Sequence, residues 1–254
     1  MLNTLRYILR HPLARRNKSA AVGRYFRWQF GSRLLRCPVA VPFTDKARLL
    51  VERGMTGATG NVYCGLHEFA DMGFACHLLR PGDFFADVGA NVGSYTVLAS
   101  AVCGATTRAY EPLPHTFARL KDNVAVNHLG DRVTAVQAGV GRVPGKLRFT
   151  ADRDTMNHAL GDGQQYAGKV VECPVVRLDD DLGGAVPLLM KIDTEGFEAE
   201  VLAGGPNTFA SGQLQAVLIE MSDGGKRTPA HVALHDTLVG FGLHPRGYDP
   251  TPAP

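Results

Sequence analysis

The sequence predicts an α/β fold in which a mainly parallel sheet carries helices on both faces. Three observations support this prediction: strand-like and helix-like segments alternate after residue 80, a glycine-rich loop joins the first strand to the first helix of that alternation, and 45% of the residues are hydrophobic. Alternating strands and helices build parallel sheets, because each helix returns the chain to the edge at which the strand began. A chain of 254 residues fits one such domain with an extension.

The individual elements are predicted from hydrophobic periodicity and from the residues that break it. Residues 2–35 are predicted to form two short helices broken at Pro12, and residues 39–62 an irregular or β-rich stretch. Residues 151–169 are polar and rich in glycine, which predicts a loop over a site. The remaining predicted elements are helices at residues 66–79, 94–102, 114–127, 198–204 and 232–239, strands at residues 84–88, 107–110, 133–138, 188–192 and 215–221, and a hairpin arm at residues 139–150.

Charge is divided unevenly along the chain. Residues 1–44 contain nine of the 27 Lys and Arg side chains and none of the 24 acids, so the other 210 residues carry a net charge of −6. We therefore divide the chain into a basic helical arm with its lead-in (residues 1–65) and a main domain (residues 66–254). Arg-rich helices can form a solvated face or pack on a domain, but the complete lack of acids favours an anionic partner, either lipid headgroups or nucleic acid.

Cysteine usage and hydropathy indicate the cellular compartment of the protein. The five cysteines are scattered and never form a C-x-x-C pair, which argues against a disulfide framework or a zinc site and favours a reducing compartment. No apolar run approaches the ~18 residues of a membrane span. Arg6 and Arg10 interrupt the apolar core that a signal peptide needs. The sequence therefore predicts a cytoplasmic protein, with peripheral contact to an anionic membrane as a hypothesis for the arm.

The segment Asp87-Val-Gly-Ala-Asn-Val-Gly93 lies between a buried strand and a helix, the context that a nucleotide-binding loop requires. Gly89 permits the tight turn, and Gly93 lets the helix pack close to the strand. Glu111 ends the next strand, 22 positions after Gly89, where a carboxylate can accept two hydrogen bonds from a ribose diol. Loop and acid together predict a Rossmann-like nucleoside site, whereas the glycines alone would be compatible with an ordinary turn.

Asn91 indicates which nucleoside ligand fits. Dinucleotide loops place a glycine at this position, because the backbone must approach the pyrophosphate. The Asn91 side chain disfavours that approach and so argues against a dinucleotide. S-adenosylmethionine keeps the adenosine but replaces the pyrophosphate with a sulfonium and an amino acid, which Asp87 and the Asn91 amide can serve. The sequence therefore predicts S-adenosylmethionine as the cofactor.

Several blocks around this loop are specific in combination: residues 87–96 (DVGANVGSYT), residues 110–112 (YEP), the pair Asn123 and Asn127, and residues 191–198 (KIDTEGFE). Together they resemble the FkbM family of S-adenosylmethionine-dependent methyltransferases over residues 66–222. The resemblance implies a seven-stranded class I methyltransferase sheet and transfer mainly to hydroxyl oxygens of secondary metabolites, lipids or glycans. The predicted cofactor-binding residues are Asp87, Gly89, Ala90, Asn91, Gly93, Ser94, Tyr95, Glu111 and Pro112.

The chain departs from the family pattern at both ends. Pro254 follows soon after Gly-Tyr-Asp at residues 247–249, where this fold needs a final antiparallel strand. We expect either a truncated C-terminus or an irregular segment that supplies this strand. The resemblance says little about the first 60 residues.

Transfer to a hydroxyl requires alignment of the oxygen with the methyl group and removal of a proton as the oxygen attacks. Asp193 follows the predicted strand 188–192, and Glu195 follows at the helix start. Paired carboxylates can split their pKa values and leave one as a base; the alternative is a turn residue at Asp193 and a helix-dipole acid at Glu195. His67, which opens the helix before the first strand, is the third catalytic candidate, and His158 in the polar loop is a further one.

These residues predict an O-methyltransferase acting on a hydroxyl of a sugar, a lipid-linked glycan or a secondary metabolite. No further ligands for a metal at Asp193 are recognisable, so no metal is predicted. Two alternatives stay open: a nucleic-acid methyltransferase and a catalytically inactive cofactor-binding module. The chain lacks the Asn/Asp-Pro-Pro-Tyr/Phe type of motif that the former would need after the fourth strand, so nucleic acid is the less favoured partner. Acceptor specificity is expected from residues 39–66 and 151–169.

Overall fold

The computed structural model describes residues 2–35, 37–152, 157–160, 164–221 and 228–250. An N-terminal helical segment precedes the sheet. It contains α1 (Leu2–Arg10), α2 (Pro12–Arg16) and α3 (Lys18–Leu34), and is followed by a hairpin of β1 (Val39–Thr44) and β2 (Ala47–Val51) and by the helices α4 (Thr56–Cys64) and α5 (Phe69–Leu78).

The prediction of two N-terminal helices was wrong, because the chain breaks a second time at Asn17. The Asn17 side chain accepts a hydrogen bond from the backbone N–H of Ala20 and so caps the start of α3. Asparagine is a preferred helix N-cap, since its side chain satisfies a backbone donor that the first turn leaves free. The predicted β-rich stretch at residues 39–62 was correct for the hairpin and wrong for its second half, which is α4.

From residue 84 onward, strands and helices alternate. The elements are β3 (Phe84–Val88), α6 (Ser94–Val97) with a π-helical continuation (Leu98–Val102), β4 (Thr106–Tyr110), α7 (Pro114–Val126), β5 (Val133–Val136), β6 (Gly139–Gly141), β7 (Gly145–Thr150), β8 (Val170–Arg177), α8 (Leu178–Leu182), β9 (Leu189–Ile192), α9 (Glu198–Gly204), α10 (Pro206–Ala210), β10 (Ala216–Ile219) and α11 (Pro229–Gly240).

The main sheet has the strand order β10-β9-β3-β4-β5, and every pairing in it is parallel. This arrangement confirms the predicted Rossmann-like α/β fold. The chain order reverses beside β3, which is the switch point where such sheets bind ligands at the carboxyl ends of the strands. The resemblance implied seven strands; within the residues that the structure describes, the sheet has five, and a final antiparallel strand is not among them.

A second sheet has three strands, in the order β6-β8-β7. The strand predicted within residues 139–150 is confirmed as β7, but the predicted hairpin was wrong, because β6 and β7 each pair with β8, which lies between them and was not predicted. Pro174 lies within β8, and a proline inside an apolar run weakens the strand pattern. The helices α8 and α10 were also missed, because five residues are too few to show a helical period. Residues 153–156 and 161–163 of the predicted polar loop lie outside the described residues.

The N-terminal helices pack into the core that the main sheet also uses. Ile8 of α1 and Tyr25 and Trp28 of α3 are buried in the same hydrophobic cluster as Phe85 of β3 and Leu189 of β9. Apolar burial of this extent is a main source of stability in folded domains. Among the described residues, no helix combines the length and the hydropathy needed to cross a bilayer.

Two asparagines of the sequence blocks connect the β1–β2 hairpin to the main domain. The Asn123 side chain accepts from the N–H of Leu50 (2.7 Å) and donates to the carbonyl of Val92 (2.8 Å). Asn127 bonds both the N–H and the carbonyl of Arg48 at 2.8 Å. Because buried backbone groups need partners, these bonds hold the hairpin against α7 and against the loop after β3.

Candidate functional site

A cavity of about 570 Å³ opens at the carboxyl ends of the central strands, the position expected for a ligand in this fold. Most of the predicted site residues meet there. Ten of them line the cavity: His67, Gly89, Ala90, Asn91, Ser94, Tyr95, Glu111, Pro112, Asp193 and Glu195. Asp87 and Gly93 are not lining residues.

The glycine loop fits closely against the end of β9. Gly89 has a positive φ of 79°, and a Cβ added to it would lie 1.8 Å from the carbonyl oxygen of Asp193. A Cβ on Gly93 (φ 90°) would lie 2.5 Å from a methyl carbon of Leu120 on α7. Both positions therefore require glycine, for backbone conformation and for space. The loop thus lies at the switch point, where Gly89, Ala90 and Asn91 line the cavity.

Asn91 and Glu111 are joined at the floor of the cavity. Asn91 has a left-handed backbone (φ 52°), which asparagine tolerates better than most residues. Its N–H donates to Oε2 of Glu111 (3.1 Å), and the N–H of Leu113 donates to Oε1 (2.9 Å). Burial raises the pKa of Glu111 to about 7, although these two backbone N–H groups favour its ionised form. Each carboxylate oxygen keeps a free lone pair for a ligand hydroxyl.

Asp87 lies behind the cavity wall, within the core. Its Oδ2 accepts from the hydroxyl of Thr96 (2.6 Å), and its Oδ1 has no hydrogen-bond partner among the described residues. Burial raises the pKa of Asp87, while the charge of Lys191, its register partner on β9, lowers it. The structure thus places Asp87 next to the charged pair on β9 rather than at the cavity surface.

Lys191 and Asp193 form an ion pair at the end of β9, with 2.6 Å between Nζ and Oδ2. Burial alone would lower the pKa of Lys191, but the charges of Asp193, Asp87 and Glu68 raise it. Burial would likewise raise the pKa of Asp193, but Lys191 and a hydrogen bond with Glu220 hold it below its ordinary value. Both side chains are therefore charged at neutral pH.

Glu220 is a site residue that the sequence reasoning missed. It directly follows β10, shares a hydrogen bond with Asp193, and lines the cavity. The hydrogen bond with Asp193 and burial raise the pKa of Glu220 to about 8. An acid directly after the strand next to β9 was a usable signal, because the carboxyl ends of parallel strands meet at one edge of a sheet.

The carboxylates of Asp193, Glu195 and Glu220 together form an acidic cluster, in which one oxygen of each lies within 4.8 Å of the others. Oxygen ligands of this kind suit hard divalent cations. The absence of a metal was predicted because Asp193 had no recognisable co-ligands, and the structure supplies two. The three carboxylates could therefore hold a divalent cation, and removal of metal by a chelator tests the prediction that the site works without one.

Glu195 lies in a tight turn between β9 and α9. Its backbone is left-handed (φ 51°), and Gly196 also has a positive φ (97°). The turn is held by Glu198, whose Oε1 accepts from the N–H and hydroxyl of Thr194 and from the N–H of Gly196 at 3.0–3.2 Å. Glu198 is thus the structural acid of the 191–198 block, which leaves the Glu195 side chain facing the cavity. Burial and the neighbouring Asp193 raise the pKa of Glu195.

His67 lines the cavity from the connection between α4 and α5. The hydroxyl of Tyr7 on α1 donates to the His67 carbonyl (3.0 Å) and lies 2.7 Å from its Nδ1. Burial lowers the pKa of His67, so the ring is neutral at neutral pH. Asn61 holds the same connection, because its Oδ1 accepts from the His67 N–H (2.8 Å) and its Nδ2 donates to Ser94 (3.2 Å). Sequence reasoning found His67 but neither of these supporting residues.

Two further residues, Glu68 and Asn157, line the cavity. Glu68 accepts a 2.5 Å hydrogen bond from the hydroxyl of Tyr95, whose ring lies 4.9 Å from Nζ of Lys191. Asn157 lines the cavity, whereas His158, the candidate of the polar loop, does not.

Fold and site together define a Rossmann-like protein with a nucleoside-sized cavity at the switch point. Residues 87–249 match the family model of the methyltransferase FkbM domain. The chain belongs to the FkbM methyltransferase family, which confirms the resemblance seen in the sequence. This family supports S-adenosylmethionine as the cofactor.

Two relatives indicate the range of the family. The chain is 34% identical over 157 residues to the 31-O-demethyl-FK506 methyltransferase FkbM of Streptomyces tacrolimicus, a match that covers 50% of this chain and 60% of that protein. It is 29% identical over 148 residues to the hexuronic acid methyltransferase AglP of Haloferax volcanii, covering 56% of this chain and 57% of that protein. The chain therefore spans less than two thirds of the length of these relatives.

Comparison with solved structures finds, among others, the precorrin-6y C5,15-methyltransferase of Geobacter metallireducens. It has 12% sequence identity and a TM-score of 0.44, over 76% of this chain and 77% of that one.

Proposed function

We propose that this protein is an S-adenosylmethionine-dependent O-methyltransferase whose acceptor is a hydroxyl of a sugar, a lipid-linked glycan or a secondary metabolite. The observation that carries the proposal is the pairing of two chemical functions in one cavity. The glycine loop with Glu111 suits a nucleoside, and Asp193 with Glu220 suits proton removal.

The charge of the cavity fits a cationic cofactor. Among the described lining residues, carboxyl groups belong to Glu68, Glu111, Asp193, Glu195 and Glu220, whereas Lys191 carries the one ammonium group. An excess of carboxylates stabilises a positive charge placed between them. When bound, S-adenosylmethionine supplies an electrophilic methyl group on a positively charged sulfur. A cavity of about 570 Å³ has room for it and for part of an acceptor.

Glu111 and the loop backbone would hold the nucleoside. Both oxygens of Glu111 are oriented by backbone N–H groups, so the carboxylate is already in place to accept from the two ribose hydroxyls. Gly89, Ala90 and Asn91 line the same cavity. Asp87 would act indirectly, since it lies behind this wall and contributes to the charge that keeps Lys191 protonated.

Proton removal would fall to the carboxylates at the ends of β9 and β10. In methyl transfer the carbon–sulfur bond of the cofactor would break as the acceptor oxygen bonds the methyl carbon, with S-adenosylhomocysteine as the leaving group, and the hydroxyl proton would move to an oxygen of the Asp193–Glu220 pair. Lys191 holds Asp193 in position through its 2.6 Å contact, and Glu220 has the higher proton affinity, with a pKa of about 8. A group with a pKa near the working pH is the more effective general base. Glu195 and His67 line the same space and would orient the acceptor.

The acceptor class is inferred from the relatives. The names of two of them specify a hexuronic acid and a demethylated FK506 as substrates. Both relatives support a small molecule or a glycan as the acceptor of this chain. The N-terminal helices contribute to the space available, because Tyr7 of α1 and Gln29 of α3 line the cavity.

The proposal is tested by methyl transfer from radiolabelled S-adenosylmethionine to a panel of uronic acids, glycans and polyketide alcohols, with structured RNA as a further substrate. We expect label on at least one hydroxylated acceptor, as a methyl ether by NMR. Label on RNA alone would support a nucleic-acid methyltransferase instead. Tight binding of S-adenosylhomocysteine without turnover on any acceptor would support an inactive binding module.

A further inference from the structure

The outer surface of the N-terminal helices exposes an unusual amount of apolar side chain. Among the described residues, ten large hydrophobic side chains are exposed, and seven of them lie between residues 2 and 35. On α3 the buried face consists of Ala21, Tyr25 and Trp28, whereas Phe30 and Leu34 on the opposite side are 73% and 84% exposed. Exposed apolar groups that cluster rather than scatter indicate a binding surface.

Basic side chains alternate with these apolar ones. Phe26, Arg27, Phe30, Arg33 and Leu34 are spaced so that they share one side of α3, and all five are exposed. We refer to these five residues as the α3 outer face. No ion pair with a carboxylate neutralises Arg27 or Arg33 in the described part of the chain, and the first 44 residues contain no acid at all.

We propose that the α3 outer face binds the surface of an anionic lipid bilayer. Phenylalanine and leucine on a convex helix surface insert among acyl chains, and the arginines between them meet the phosphate groups, as in helices that lie in a membrane interface. The first 44 residues, which include α3, carry nine basic side chains and no acid, whereas residues 45–254 carry a net charge of −6, so an anionic surface attracts the N-terminal helices and repels the body of the protein.

Charge also distinguishes this partner from two others. A second copy of the chain docked through the same face would bring Arg27 and Arg33 of both copies together, which like-charge repulsion opposes. Nucleic acid would use the arginines but not Leu34, whose 84% exposed side chain has no base or phosphate chemistry to offer. An anionic bilayer can bind both the apolar and the basic side chains of the α3 outer face.

The same helices reach the cavity. Gln29 of α3 and Tyr7 of α1 are lining residues, so a bilayer on the outer face lies one helix away from the proposed site. This inference does not depend on methyl transfer, because its test measures lipid binding alone. If the proposed reaction is also correct, the geometry favours an acceptor presented at the membrane, such as a lipid-linked glycan.

The test is flotation of the full chain with unilamellar vesicles of phosphatidylcholine containing about one third phosphatidylglycerol, with pure phosphatidylcholine vesicles as the comparison. We expect salt-sensitive binding to the anionic vesicles only, because salt screens the arginine–phosphate attraction. The double variant Phe30→Ser/Leu34→Ser should weaken binding at least about tenfold, since it removes two inserted side chains. Arg27→Gln/Arg33→Gln should weaken it and flatten its dependence on salt.

Matched controls use exposed residues elsewhere on the surface. Val143→Ser/Val232→Ser removes two exposed apolar side chains, and Arg53→Gln/Lys121→Gln removes two exposed charges, so neither pair should alter flotation. Thermal melting checks that every variant is folded. The proposal is overturned if the wild type ignores anionic vesicles, if the face and control variants bind alike, or if the face variants lose self-association or RNA binding while vesicle binding stays unchanged.

Discussion

Nζ of Lys191 on β9 lies 2.6 Å from Oδ2 of Asp193, which directly follows that strand, and the pair connects the core to the cavity. On the core side, the charge of Asp87 helps to keep Lys191 protonated. On the cavity side, Asp193 is hydrogen-bonded to Glu220 and holds it partly protonated. A charge buried inside the sheet thus sets the protonation of groups that face the ligand.

Glu111 makes cofactor binding dependent on pH. Its pKa of about 7 lies in the physiological range, and ribose hydroxyls donate to the ionised carboxylate. We expect the affinity for S-adenosylhomocysteine to fall as the pH falls below about 7, approaching tenfold per unit. Glu111→Gln should bind more weakly at pH 8, by about 1.5–3 kcal/mol for each lost charge-assisted bond, and should lose the pH dependence. Titration calorimetry measures both effects.

Glu111 also affects the stability of the folded protein when no ligand is bound, and this effect serves as a control for the prediction on cofactor affinity. The folded state binds the Glu111 proton more tightly than the unfolded chain does, because the pKa rises on folding from 4.5 to about 7. Stability from this group is therefore greatest below pH 4.5 and is lost as the pH rises through 7. Glu111→Gln should gain in melting temperature, relative to the wild type, between pH 5 and pH 8. A constant difference over that range would contradict the burial argument.

The N-terminal helices are expected to stabilise the main domain. Trp28 is 7% exposed and packs in the cluster that includes Phe85 of β3, so Trp28→Ala should lower the free energy of unfolding by about 3–5 kcal/mol. Phe30→Ala, two residues further along the same helix, should change it by less than about 0.5 kcal/mol, because that side chain is 73% exposed. Urea denaturation followed by circular dichroism compares the two. Equal effects would mean that α3 does not pack on the domain as described.

The sequence was most informative where a local rule determines the structure. The loop at residues 87–93 and Glu111 could be placed because strand, glycine turn and helix are adjacent in the chain, and their spacing reflects a known ligand geometry. Glu198 was within the recognised block, yet its structural role was not evident. Only the backbone shows that its carboxylate closes the turn around Thr194 and Gly196.

Contacts between distant segments could not be predicted in this way. Tyr7 forms a hydrogen bond with His67 although the two are 60 residues apart, and Asn61 does so from six residues away, on the preceding helix. Glu220 forms a hydrogen bond with Asp193 from the end of the neighbouring strand. A single sequence carries no record of such pairings, because they depend on how the elements pack. Asn17 shows a different limit: its side chain caps the start of α3, but α2 before it has only five residues, too few to show a helical period of its own.

The acidic cluster of Asp193, Glu195 and Glu220 is expected to work without a metal. Lys191 already neutralises Asp193 and places an ammonium group beside the oxygens that a divalent cation would need, so the two cations would repel each other. We expect turnover to be unchanged after dialysis against EDTA. Activity that is lost and then restored by Mg²⁺ or Mn²⁺ would make these carboxylates metal ligands instead.

The base is tested by the pH dependence of turnover, once an acceptor is known. Since Glu220 holds a proton with a pKa of about 8, kcat of the wild type should rise with pH and level off above that value. Glu220→Gln cannot carry this proton, so its profile should be flat between pH 7 and pH 9. Affinity for S-adenosylhomocysteine should stay the same, because Glu111 and the glycine loop lie on other strands.

Asp193→Asn examines the other half of the pair. The amide keeps the shape of the side chain but cannot accept the hydroxyl proton, so kcat should fall about 10²–10⁴-fold. The change also leaves Lys191 without its 2.6 Å partner, so thermal melting must separate lost chemistry from lost folding. Glu195→Gln serves as the matched control and should lower kcat less than Asp193→Asn does, because Glu195 has no comparable contact with Lys191. A folded Asp193→Asn variant that retains kcat within about threefold would place proton removal elsewhere, with His67 as the next residue to test.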